Sequence, residues 1–130
     1  MPILVFLILL LSSCSAPPEA QLIDTYLADS AAGRKSHVLV GRASLAQENA
    51  LAVVKDLGWS QSGKATYTDL RPLQNGELFF CLDVSKVDFL DSTGNRVPLD
   101  RPLSQLRMKA TVFGKGEGMK IESLEEVGTC

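Results

Sequence analysis

Leu78-Phe79-Phe80-Cys81-Leu82-Asp83-Val84-Ser85-Lys86-Val87-Asp88-Phe89 changes phase part-way along. Leu78, Phe80, Leu82 and Val84 share one face of a strand, and Cys81 and Asp83 share the other. The alternation slips at Ser85-Lys86, after which Val87 and Phe89 take the apolar places. Such a slip marks a bulge or a strand break, and it bends the sheet. Outward from this segment a period of two governs everything from Gly63 onward. Lys64 to Leu70 is a Thr-containing strand ended by Pro72, and Asn75-Gly76 is the turn after it. Asp91 to Asn95 forms another turn, and the proline of Arg96-Val97-Pro98 argues for a sheet edge or a loop. Leu103 to Phe113 reads as a strand with Leu106, Met108, Ala110 and Val112 inward. Gly114 to Gly118 lacks the Lys-Ser/Thr pair and following helix of a phosphate loop, so it reads as a hairpin connection. The last strand runs from Met119 to about Val127.

Before Gly63 the spacing is helical. Pro17, Pro18 and Glu19 suit a helix entry. Leu22, Ile23, Tyr26, Leu27 and Ala31 make one apolar face, and Gly33 supplies the stop with Arg34 and Lys35 near the last carbonyls. Val38-Leu39-Val40 is either a short strand or a buried connection. His37, the sole histidine, has no catalytic partner legible in the sequence, which favours an exposed or structurally satisfied ring. Ser44 and Gln47 have the spacing of a capping box opening a second helix, with Ala46, Ala50, Val53, Val54 and Leu57 as its packing stripe. Gly58 ends that helix, and Trp59 reads as a packing plug folded back on the last turn. The expected class is α+β: an N-terminal signal segment, then two main helices packed on a bent antiparallel sheet of about four strands.

The formal net charge of −2 and the scattered Lys and Arg give no electrostatic footprint for nucleic acid. Ile3 to Leu11 is continuously apolar but spans only about 14 Å as a helix, roughly half a bilayer core. Its position and the small residues after it suit a processed targeting segment, although no Lys or Arg precedes it. Leu11-Ser12-Ser13-Cys14 resembles the lipobox of bacterial lipoproteins. That resemblance implies a signal peptide over residues 1–13, lipid on Cys14, a tether over 14–20 and a single domain over 21–130. It also implies a membrane-anchored protein on the extracytoplasmic face.

The chain has three cysteines, Cys14, Cys81 and Cys130. Acylation of Cys14 leaves two, which are either bridged in an oxidising compartment or separately buried thiols. Two distant cysteines and one histidine do not complete a zinc site without carboxylates. No metal or cofactor is expected.

The order of elements, with the bend after Cys81-Leu82-Asp83-Val84-Ser85, resembles the cone-shaped fold of the nuclear-transport-factor/ketosteroid-isomerase superfamily, close to cystatin-like folds. More narrowly the chain resembles small secreted lipoproteins of actinobacteria, through that segment, Phe89-Leu90-Asp91-Ser92-Thr93-Gly94 and Val127-Gly128-Thr129-Cys130. The resemblance implies a Cys81–Cys130 bond, and a non-enzymatic envelope lipoprotein that binds a partner protein or a small ligand in the mouth of the cone. Two alternatives stand beside it. One is an isomerase with Asp83 or Asp88 as base and Tyr26 or Tyr67 at the oxyanion. The other is a structural accessory subunit of an envelope complex. Asp83 lies on the face opposite Leu82, which suits solvent or a structural hydrogen bond better than a cavity.

Intact mass spectrometry of the protein extracted from membranes should give a chain beginning at Cys14, heavier by a diacylglyceryl group and lighter by two hydrogens for one disulfide. A full-length unmodified soluble species would overturn both the leader and the anchor.

Overall fold

The alternation at Leu78 and Phe80 becomes β3 (Glu77–Asp83) in a computed structural model of the chain, which describes residues 17–100 and 104–130. The expected leader, Cys14 and most of the tether lie outside the described residues, as does Leu103. The order is α1 (Pro18–Ala31), α2 (Gly41–Asp56), β1 (Ser60–Ser62), β2 (Thr66–Pro72), β3, β4 (Asp88–Leu90), β5 (Gln105–Phe113) and β6 (Lys120–Thr129). The class is α+β, with two antiparallel sheets: four strands in the order β2-β3-β5-β6, and a two-stranded ribbon of β1 and β4.

Leu78 lies opposite Ala110 and Phe80 opposite Met108, so these side chains share the inner face. Leu78, Phe80, Ala110 and Ile121 are essentially inaccessible to solvent. Leu22, Ile23 and Leu27 of α1 close over them, and Val38 and Leu39 fill the space beside β6. The ambiguous Val38–Val40 segment is thus a buried connection, held to β6 by Ile121 N–H donating to the Val38 carbonyl and Val40 N–H donating to the Ile121 carbonyl.

The phase slip at Ser85-Lys86 is a strand break. Ser85 N–H donates to Asp83 Oδ1 at 2.9 Å and Val87 N–H to the Val84 carbonyl at 3.1 Å, which turns the chain out of the main sheet. It resumes as β4 and pairs with β1, a strand too short and too polar to show an alternating pattern. The ribbon passes so close to this turn that a Cβ on Gly63 (φ +80°) would overlap the Lys86 carbonyl oxygen.

Both helices end as their glycines imply. Arg34 N–H donates to the Asp29 carbonyl and Gly33 N–H to that of Ser30; Trp59 N–H and Gly58 N–H repeat the pattern on Val54 and Lys55. Their starts differ from expectation at α2. Gly41 begins it and Val40 is its N-cap, so Ser44 lies inside the helix and no capping box forms. Gln47 is instead buried. Its Oε1 accepts from Ser36 N–H at 2.8 Å, and its Nε2 donates to Ser30 Oγ at 3.4 Å and the Arg34 carbonyl at 3.3 Å. A buried donor at Ser36 outweighs a solvent-facing cap, because leaving it unpaired costs more than losing the cap's gain.

The stripe expected on α2 also behaves differently. Ala43 and Gln47 are the buried residues of this helix, whereas Ala46, Ala50, Val53 and Leu57 are exposed. Ala50 lies two turns on from Ala43, on the same side of the helix. The helix therefore rests on the sheet by its N-terminal half and stands off it further along.

Cys81 and Cys130 are bonded, with Cα atoms 5.9 Å apart. β5 separates β3 from β6, and neighbouring strands lie about 4.8 Å apart. The tail beyond Thr129 must therefore turn back across the outer face of β5, where it covers Cys81. By residue separation this is a loop of 49, for which chain entropy gives roughly 4 kcal/mol of stabilisation.

Asp29 joins the Gln47 network: Ser36 Oγ donates to its Oδ2 at 2.8 Å and Arg34 to its Oδ1 at 3.0 Å. The Ser36 hydroxyl, then Arg34, hold its carboxyl below the usual carboxylate value against some desolvation. A carboxyl depressed in the folded state stabilises in full above its unfolded value of about 3.9, and that stabilisation is lost as pH falls through the folded value. Urea unfolding should show Gln47→Ala less stable by about 1–3 kcal/mol, because Ser36 N–H is left buried and unpaired. Leu45→Ala, on the exposed side, should stay within about 0.5 kcal/mol. Asp29→Asn should flatten the fall of stability below about pH 4; an unchanged acid limb would remove Asp29 from this role.

Candidate ligand groove

Where α2 stands off the sheet, a half-open groove of about 1150 Å³ lies between them. One wall is α2, from Arg42 to Gly58, and the other is the C-terminal part of α1 with Met108 and Leu124 of the sheet. The β1–β4 ribbon closes the far end with Trp59, Ser60, Gln61 and Phe89. Small side chains make the space: Ala31, Ala32, Ala43, Ala46 and Ala50 leave room that a leucine would fill.

The two ends differ chemically. Near the N-terminal half of α2 are Tyr26, Ser30 and the Gln47 amide, together with Arg42. Burial pushes the Tyr26 phenol above its ordinary value, with a smaller opposing effect from its hydrogen bond to Ser30, so it stays a neutral hydrogen-bonding group across the physiological range. At the other end the rings of Trp59 and Phe89 lie 5.9 Å apart, tilted by 38°, beside Lys55. Trp59 is not simply the packing plug expected from its place after the helix stop. It contacts Phe89 on one side and borders the groove on the other.

The carboxylates considered as bases are placed elsewhere. Asp83 is on the outer face with Cys81, and the Ser85 hydroxyl and N–H hold its carboxyl below its ordinary value. Asp88 pairs with Arg96 at 3.3 Å. Tyr67 faces the core, edge-on to Phe80 at 6.2 Å, with its hydroxyl donating to the Ala20 carbonyl at 3.3 Å. It borders a smaller hollow of about 310 Å³ with Asp24 and Lys64. Burial, then the nearby Asp24 carboxylate, raises its phenol. Among the four candidates only Tyr26 borders the main groove. His37 is exposed.

Cys81 and Cys130 lie on the far side of the sheet from the groove, as a structural bond. Sequence reading missed Arg42, Lys55 and Gln47 as groove residues. The one signal available was the run of small residues at 43, 46 and 50, which share a helix face and which a tightly packed helix would have filled with larger side chains. Among the described residues no three His, Cys, Asp or Glu side chains are grouped to hold a metal ion, and no described helix is long and apolar enough to cross a membrane.

Comparisons with protein-family models, with curated proteins and with solved structures each return no match to this chain.

Proposed function

We propose that this protein is a lipid-anchored binding protein of the bacterial cell envelope, held by acylated Cys14 on the extracytoplasmic side, and that its groove receives a small apolar ligand without chemical conversion. The observation that carries the reading is the groove itself. A cavity of about 1150 Å³ is of the size that buries a drug-sized or larger ligand, and its walls are mainly apolar with a few polar groups at each end. A cone-shaped fold of the nuclear-transport-factor kind belongs to the same proposal, since a cone places its cavity between helix and curved sheet. Asp83 and Asp88, the carboxylates weighed as isomerase bases, do not line the groove.

Titration of the mature protein with the uncharged dye Nile red should give saturable, blue-shifted emission at one site per chain. Ala50→Phe should weaken that binding about tenfold or more, with melting temperature unchanged or raised, because the exposed alanine is replaced by a ring that fills the groove. Unsaturable binding, or equal binding by the variant, would overturn the assignment of the groove as a ligand site.

A further inference from the structure

If the groove is a ligand site, as proposed above, its dimensions narrow the occupant. Its lining follows α2 from Arg42 to Gly58, about 24 Å at the helical rise. Spread along that length, about 1150 Å³ gives a mean cross-section of about 48 Å². An α-helix with its side chains is about 10–12 Å across, a section of roughly 80–110 Å². A helical peptide of that thickness would stand partly out of the half-open groove. An extended peptide is narrower, but each buried residue brings an N–H and a C=O that require partners. The walls are a helix side and the inner face of a sheet, whose backbone groups are committed to their own ladders. The strand edges at the groove are those of β1, three residues at one end, and of β6 where Ser123, Leu124 and Glu125 line it. A hydrocarbon chain brings no polar backbone and fits the section.

Charge indicates the head group. Arg42 and Lys55 line the groove without an ion pair among the described residues. Glu125, the acid in the lining, faces Lys109 at 3.8 Å. At the N-terminal end of α2 the lining carries the Arg42 cation and, further along the helix, the Gln47 amide that bonds Ser30. The aromatic end supplies apolar surface against Trp59 and Phe89.

We propose that the groove binds an anionic long-chain lipid, its hydrocarbon lying along α2 towards Trp59 and Phe89 and its acidic head group held by Arg42 at the N-terminal end of α2. Trp59 is the chain's one tryptophan, so its emission reports occupancy directly.

The test uses the mature full chain and three probes: oleate, oleyl alcohol and Nile red. Oleate should shift Trp59 emission to the blue with one-to-one saturation, and bind about tenfold tighter than oleyl alcohol. Arg42→Ala, an exposed position, should remove that difference with the melting temperature unchanged, and Arg42→Lys should retain it. Equal binding of oleate and oleyl alcohol by the native chain would overturn the anionic head group. A loss carried by Lys55→Ala instead of Arg42→Ala would overturn its placement. Nile red binding with no response to either oleyl compound would overturn the hydrocarbon while leaving the groove as a ligand site. No binding of any probe would overturn the groove as well.

Discussion

Where the chain passes from α1 to α2 it buries the N–H of Ser36, and a buried donor must find an acceptor. Gln47 supplies it at 2.8 Å from nearly two turns inside α2, while its own amide nitrogen reaches back to Ser30 and the Arg34 carbonyl. One side chain therefore ties the end of α1, the connection and the start of α2 into a unit. A hydrogen bond of this kind adds only about 1 kcal/mol net, but leaving the donor unpaired costs up to about 3 kcal/mol. The asymmetry fixes α2 near its N-terminus. Beyond Gln47 no comparable buried contact draws the helix down, so its alanines face open space.

The far end of the groove depends on a second constraint, the strand break at Ser85-Lys86. Had β3 continued in phase, Val87 and Phe89 would have extended the main sheet. The Asp83 carboxylate caps the turn through Ser85 N–H, and the chain leaves to form the ribbon with β1. That ribbon carries Phe89 to Trp59, which the glycine stop at Gly58 has already turned back toward α2. Two backbone devices of quite different kinds thus meet in one aromatic wall. The disulfide acts on the opposite face of the sheet, holding the tail over Cys81 without touching the groove.

Most of the strand pattern was legible because one face of the main sheet is buried, and burial enforces a period of two at Leu78, Phe80 and Ala110. The glycine stops of both helices were legible because φ near +70° at Gly33 and Gly58 is a local requirement. Three features were not. The β1 strand is Ser-Gln-Ser, whose pairing comes from its partner and not from its own hydropathy. Gln47 has the right spacing for a cap, but its role is set by a donor eleven residues away in sequence. The α2 stripe was right in direction only at Ala46, Ala50 and Val54, which border the groove, and wrong at Val53 and Leu57, which are exposed outside it. Periodicity shows which side of a helix is apolar and not whether anything packs there. The groove belongs to this last kind: it exists through the smallness of side chains, a quantity that hydrophobic pattern does not measure.

That smallness sets stability against occupancy. Exposed apolar surface costs about 25 cal/mol per Å², so a larger side chain at Ala46 or Ala50 would gain burial by lying in the groove it closes. Such a change would stabilise the empty protein and remove its binding space together. A ligand in the groove supplies the same burial from outside the chain and favours the folded state by mass action, by about 2.7 kcal/mol at a hundredfold excess over its dissociation constant. An α2 anchored at one end by Gln47 and lined with alanine along the rest is therefore incompletely packed, and the proposed ligand would complete it.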